Sequence, residues 1–142
     1  MTASASSNRA ARPFRVILVV HGIVTLAAAV VLAVFPAAIP ATVGIDIGVD
    51  VFLLSYFLAA AELAVGVLSI GAARLSDTAA VRLIALVFVV FHLATAALEV
   101  VYLALTGPSA VLVANVGVRV VASAVFLLMA RAQRDTRWAR AL

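Results

Sequence analysis

Six side chains stand out because they carry charge or hydrogen-bonding groups inside otherwise apolar stretches: His21, Glu62, His92, Glu99, Asn115 and Arg119. Two carboxyls, a guanidinium and two imidazoles can move protons, orient water or hold a polar ligand. In a hydrocarbon environment each charge costs about 2.5–3.5 kcal/mol at mid-helix, so such residues face inward and satisfy one another. The simplest pairing is Arg119 with Glu62, with Glu99, or with both, because a planar guanidinium can serve two carboxylates. Glu62, Glu99 and His92 are the candidate catalytic residues, and Arg119, Asn115 and Tyr56 the candidate ligand-binding residues. A structural ion-pair network that fixes helix register is the competing reading for Glu62, Arg119 and Glu99. His21 reads as structural, and Tyr102 as an interfacial aromatic.

These residues need helices to position them. Apolar residues make up 67% of the 142-residue chain and charged residues 11%. Soluble domains are nearer half apolar and a quarter charged. The chain has too few polar residues to cover a water-facing surface, and lipid resolves the mismatch. A helix rising 1.5 Å per residue needs ~20 apolar residues to cross the ~30 Å hydrocarbon core. The runs 14–35, 51–73, 83–105 and 110–130 meet that length. The expectation is an all-α membrane protein: a four-helix transmembrane bundle, up-down-up-down, spanning 14–130. A disordered cytoplasmic arm (1–13) precedes it and a basic cytoplasmic tail (131–142) follows. Pro36 and Pro40 stop the first helix. Ser76 or Asp77 can cap the third. Thr106-Gly107-Pro108-Ser109 forms a tight turn before the fourth. An apolar run of this length exceeds a signal-peptide core, so the first segment reads as a retained span.

Orientation follows from charge. All ten basic residues are arginines, and the net charge is +4 at pH 7. Arg9, Arg12 and Arg15 precede the first span, Arg74 and Arg82 lie between the second and third, and Arg131, Arg134, Arg137 and Arg140 follow the fourth. The other two loops hold no basic residue. The positive-inside rule makes the arginine side cytoplasmic, with both termini there, and the expected location is a bacterial-type plasma membrane. The arginine ladder would attract anionic lipid. No stacking aromatics accompany it, so nucleic acid is not an expected partner. Cysteine is absent, which excludes disulfides and thiolate chemistry. No metal-ligand spacing and no cofactor motif is present. Association of copies stays open.

Antiparallel depth counting turns the list into layers. From the outer end, Asn115 and Tyr56 lie roughly 7–8 Å down and Glu99 roughly 9 Å. Arg119 and Glu62 lie roughly 13–17 Å down and His92 roughly 19–20 Å, while His21 is about 9 Å from the inner end. Facing agrees with depth. His92, Thr95, Glu99 and Tyr102 share one stripe. Asn115 and Arg119 are i,i+4, as are His21 and Thr25. Ser55, Ala59, Glu62, Gly66 and Ser69 form a small, polar stripe.

The order of a helix ending at Pro36, a loop with Gly44, a helix "FLLSYFLAAAELAVGVLSIGAARL" with Glu62 and Gly66, and two further helices resembles the small four-helix bacterial membrane proteins of the DoxX-like type. That resemblance implies association with redox partners. The acid–Arg–acid set with Asn and Tyr resembles, in residue types and not in fold, the water-activating site of limonene-epoxide-hydrolase-like enzymes. Three functions follow as expectations. The first is a buried polar site that binds a small or lipophilic ligand, in a protein that could serve as an accessory subunit. The second is a membrane-embedded acid–base enzyme (isomerase, epoxide-opening or cyclase type) on a terpenoid or lipid-like substrate. The third is a proton-coupled transporter.

Overall fold

A computed structural model describes the backbone of residues 3–138 and the side chains of residues 13–133. The described residues are helical apart from short connections and contain no strand. Four of the helices are long and apolar enough to cross a membrane: Pro13–Val34, Val49–Ala72, Thr78–Thr106 and Ala110–Gln133, of 22, 24, 29 and 24 residues. At 1.5 Å per residue these measure roughly 33–44 Å, enough for the hydrocarbon core with some tilt. They pack as two antiparallel pairs, each a compact unit; the first ends at Leu75 and the second begins at Ser76.

The first unit holds α1 (Ala3–Val34), the five-residue α2 (Ala38–Thr42) and α3 (Phe52–Ala72), entered through a 3-10 turn at Val49–Val51. α1 begins ahead of the apolar run, where a disordered arm is expected from the sequence. Alanine and arginine are good helix formers, and extending a helix that already exists needs no new nucleus. α1 ends before Pro36, whose carbonyl takes a 2.8 Å hydrogen bond from Ser55 Oγ of α3. Gly44, at φ 79°, turns the connection.

Buried positions on α1 are Leu18, Gly22, Thr25, Ala29 and Leu32; on α3 they are Ser55, Ala59, Gly66, Ser69 and Ala72. On α1 the alternating steps of four and three give the 3.5-residue spacing of a left-handed helix seam, and the α3 positions follow in steps of four, seven, three and three. Most of these side chains are small, so the backbones meet. A Cβ on Gly22 would lie 2.6 Å from Ile70 Cγ1 and 2.9 Å from the Gly66 carbonyl oxygen. A Cβ on Gly66 would lie 2.7 Å from Leu26 Cγ and 3.1 Å from the Gly22 carbonyl oxygen.

The second unit is a hairpin of α4 (Thr78–Thr106) and α5 (Ala110–Trp138). α4 starts at Thr78, five residues ahead of the apolar run, where Asp77, one of the two caps expected from the sequence, accepts the Ala79 N–H through Oδ1 at 2.8 Å. Gly107, at φ 96°, donates its N–H to Leu103 O and ends α4. The seam here uses larger residues: Val81, Ala85, Phe88, His92 and Ala96 on α4, and Leu112, Ser123, Phe126, Met129 and Ala130 on α5. In both units valines and leucines off the seams are exposed, among them Val20, Val24, Leu54, Val90 and Val121. Such a surface suits acyl chains and not water.

Candidate functional site

Each helix pair carries one polar cluster, and the two differ in kind. In the second unit the cluster is ionic. Glu99 projects from α4, while Asn115 and Arg119, one turn apart on α5, point at it. Asn115 Nδ2 donates to Glu99 Oε1 at 2.7 Å, and Arg119 Nε donates to the same oxygen at 2.9 Å. The ion pair is largely shielded, with 14% of the Glu99 side chain and 18% of the Arg119 side chain exposed. Arg119 engages Glu99 through Nε, a one-point contact at a single carboxylate oxygen. The second carboxylate oxygen, Glu99 Oε2, is buried and has no hydrogen-bond partner among the described residues.

Seven residues before Glu99 on α4, roughly 10 Å along the axis, His92 is held in an aromatic stack. Its ring lies parallel to Phe126, with centroids 5.9 Å apart and planes 8° apart. Phe91 meets it edge-on at 5.4 Å, and Phe88 packs on Phe126 at 5.1 Å. Three hydroxyls in this unit bond back to their own helices: Thr95 Oγ1 to Phe91 O at 2.8 Å, Thr106 Oγ1 to Tyr102 O at 2.9 Å, and Ser123 Oγ to Arg119 O at 2.9 Å. Such back-bonding satisfies a hydroxyl where water is absent.

In the first unit the described bonds join an imidazole, two hydroxyls and helix carbonyls. His21 Nδ1 lies 3.0 Å from Ser69 Oγ, and Ser69 Oγ donates to Leu18 O at 2.8 Å. Ser69 is fully buried. Thr25 Oγ1 bonds the His21 carbonyl at 2.7 Å. Glu62 is half-buried on α3. Tyr56 points away from the seam and is 45% exposed.

Of the residues singled out from the sequence, Glu99, Asn115 and Arg119 are joined by direct hydrogen bonds, and His92 is buried on the same face of α4 as Glu99. Sequence reasoning missed Ser69 as the partner of His21, and Gly22 as half of the α1–α3 crossing. The signal for Ser69 was present, since counting from the inner ends of the two helices sets it within a turn of the depth of His21. Among the described residues no three His, Asp or Glu side chains gather as metal ligands would.

No family model, curated protein or solved structure matches the chain. The resemblance to DoxX-like proteins therefore gains no support. The chain stands as a small multi-pass membrane protein by helix length and hydropathy, with a buried His–Ser hydrogen-bond network.

Proposed function

We propose that this protein binds a lipophilic small molecule by its polar head at Glu99, Asn115 and Arg119. One observation carries the reading: Glu99 Oε1 takes two donors while the buried Oε2 takes none among the described residues. A buried acceptor without a donor costs about 1–3 kcal/mol, more when charged, so a ligand that donates there gains what the protein leaves unmet. The charges of Glu99 and Arg119 cancel, so a cationic head would bring a net charge into the membrane. A neutral hydroxyl or amide N–H on an apolar body fits better. The binding protein could equally serve as an accessory subunit to a larger assembly.

The test is mass spectrometry of the protein purified in mild detergent, under native conditions and after lipid extraction. The expected result is a neutral, hydroxyl- or amide-bearing lipophile that accompanies the wild-type chain and is lost from Glu99→Gln, with the variant still folded. An identical small-molecule profile for the two proteins would contradict the proposal. Conversion of the retained molecule would favour an acid–base enzyme with Glu99 as an acid–base group. Proton flux in vesicles would favour a transporter.

The same proposal places both arginine-rich ends in the cytoplasm of a bacterial-type cell, with the tail against anionic lipid. The chain has no cysteine, so single cysteines at Gly44, Ser76 and Gly107 report topology cleanly. A membrane-impermeant thiol reagent applied to intact cells is expected to label positions 44 and 107 and spare 76. The opposite pattern would invert the orientation.

A further inference from the structure

The ionic cluster of the second helix pair leaves over donors as well as acceptors. A guanidinium carries five N–H donors and no acceptor. Arg119 uses one of them, Nε–H, on Glu99 Oε1 at 2.9 Å. The four N–H groups of its two terminal nitrogens have no acceptor among the described residues. They are not sealed in, since 18% of the side chain is exposed. The orientation of Asn115 follows from its partner. A carboxylate in an ion pair can only accept, so the Asn115 nitrogen faces Glu99 Oε1 at 2.7 Å and its carbonyl oxygen, Oδ1, is turned away. That oxygen has no donor among the described residues. Glu99 Oε2 completes the set as the buried acceptor.

We infer, on the premise that this cluster binds a lipophile, that the head of that molecule is a carboxamide: its N–H is given to Glu99 Oε2 and its C=O takes an N–H from the terminal nitrogens of Arg119. A head that only donates would meet Oε2 and leave the guanidinium facing acyl chains. A head that only accepts would meet Arg119 and leave Oε2 as it is. A carboxamide carries donor and acceptor on separate atoms in one plane, the arrangement that a guanidinium beside a carboxylate complements. The second N–H of a primary amide has an acceptor at hand in Asn115 Oδ1.

Charge and depth narrow the class further. A carboxylate head would pair with Arg119 but meet Glu99 as a like charge, and an ammonium head would do the reverse. A neutral head disturbs neither partner of the ion pair. Asn115 lies five residues and Arg119 nine residues from Ala110, where α5 begins, which sets the cluster roughly 8–14 Å along that helix. A head at that depth lies among acyl chains, so the rest of the molecule must be apolar. Phosphatidylcholine offers acceptors but no N–H or O–H, so the bulk lipid cannot supply the hydrogen that Oε2 lacks.

The experiment is equilibrium binding to the delipidated full chain in phosphatidylcholine nanodiscs, read by native mass spectrometry, with three probes that share a dodecyl-length tail. Dodecanamide donates and accepts, 3-dodecylindole only donates, and methyl dodecanoate only accepts. The expected result is one dodecanamide per chain, with each of the other probes weaker by about 10- to 100-fold, the scale of one hydrogen bond to a charged group. Glu99→Gln should weaken dodecanamide and the indole alike. Arg119→Lys, which keeps the charge but loses the planar fork, should weaken dodecanamide and leave the indole unchanged; the comparison of probes on the wild-type chain stands even if that variant fails to fold. An indole that binds as tightly as the amide, and weakens with Glu99→Gln, would overturn the carboxamide head while keeping a ligand site at Glu99. Dodecanamide binding that is indifferent to Glu99→Gln in the folded variant, or no binding of any probe, would overturn both.

Discussion

The two helix pairs solve the same problem with opposite materials. α1 and α3 meet through glycine, alanine, serine and threonine, close enough at Gly22 and Gly66 that a methyl group on either would collide with its neighbour. α4 and α5 meet through Phe88, His92, Phe126 and Met129, and a charge pair spans the gap. In lipid the hydrophobic effect does not drive helices together, because the acyl chains are as apolar as leucine. What remains is close packing and hydrogen bonding. The first pair relies on backbone approach and neutral hydroxyls. The second uses bulk for packing and leaves room for a carboxylate, a guanidinium and an amide. The ionic cluster carries an unmet acceptor, whereas the two donated bonds of Ser69 and Thr25 end on helix carbonyls.

Substitutions that attack each device should separate the pairs by size of effect. Glu99→Ala strips Arg119 of its carboxylate and is expected to destabilise the folded chain by about 3–5 kcal/mol, the usual range for half of a shielded ion pair. Denaturing-detergent titration measures it. Glu99→Gln combined with Arg119→Gln should recover most of the loss, and a double-mutant cycle gives the coupling. If the double variant is as unstable as Glu99→Ala, the pair is not what holds α4 to α5 at that level.

Gly22→Ala is expected to cost about 1–3 kcal/mol by overpacking. The added methyl meets the Gly66 carbonyl, which is backbone and has no rotamer to change. The same titration reads it, and a neutral or stabilising result would mean that the two helices do not touch at that point. Ser69→Ala should have the smallest effect on stability, near the ~0.6 kcal/mol average for hydrogen bonds between membrane helices. A stability loss as large as that of Glu99→Ala would erase the distinction between the pairs.

Much of this arrangement was legible in the chain. Helix number followed from run length. The turn at Gly107 and the cap at Asp77 followed from residue type. The three-residue cluster followed from i,i+4 spacing on one helix and matched depth on its antiparallel neighbour, since Asn115 and Glu99 count to nearly the same level. Other features resisted reading for physical reasons. The Gly22–Gly66 contact needs one glycine from each helix, whereas the familiar small-residue motif repeats within a single helix. The His21–Ser69 bond is hard to read because a serine in a small-residue stripe reads as packing. The choice of one carboxylate oxygen over the other depends on side-chain torsions that spacing does not encode.

The most direct measurement of the central claim sets the two clusters side by side. Wild-type chain, Glu99→Gln and Ser69→Ala are purified identically, and their bound small molecules are counted by native mass spectrometry. The account expects one neutral lipophile per chain in the wild type and in Ser69→Ala, and none in Glu99→Gln. Retention of that molecule by Glu99→Gln, or its loss from both variants alike, would contradict a ligand site at the ionic cluster of the second helix pair.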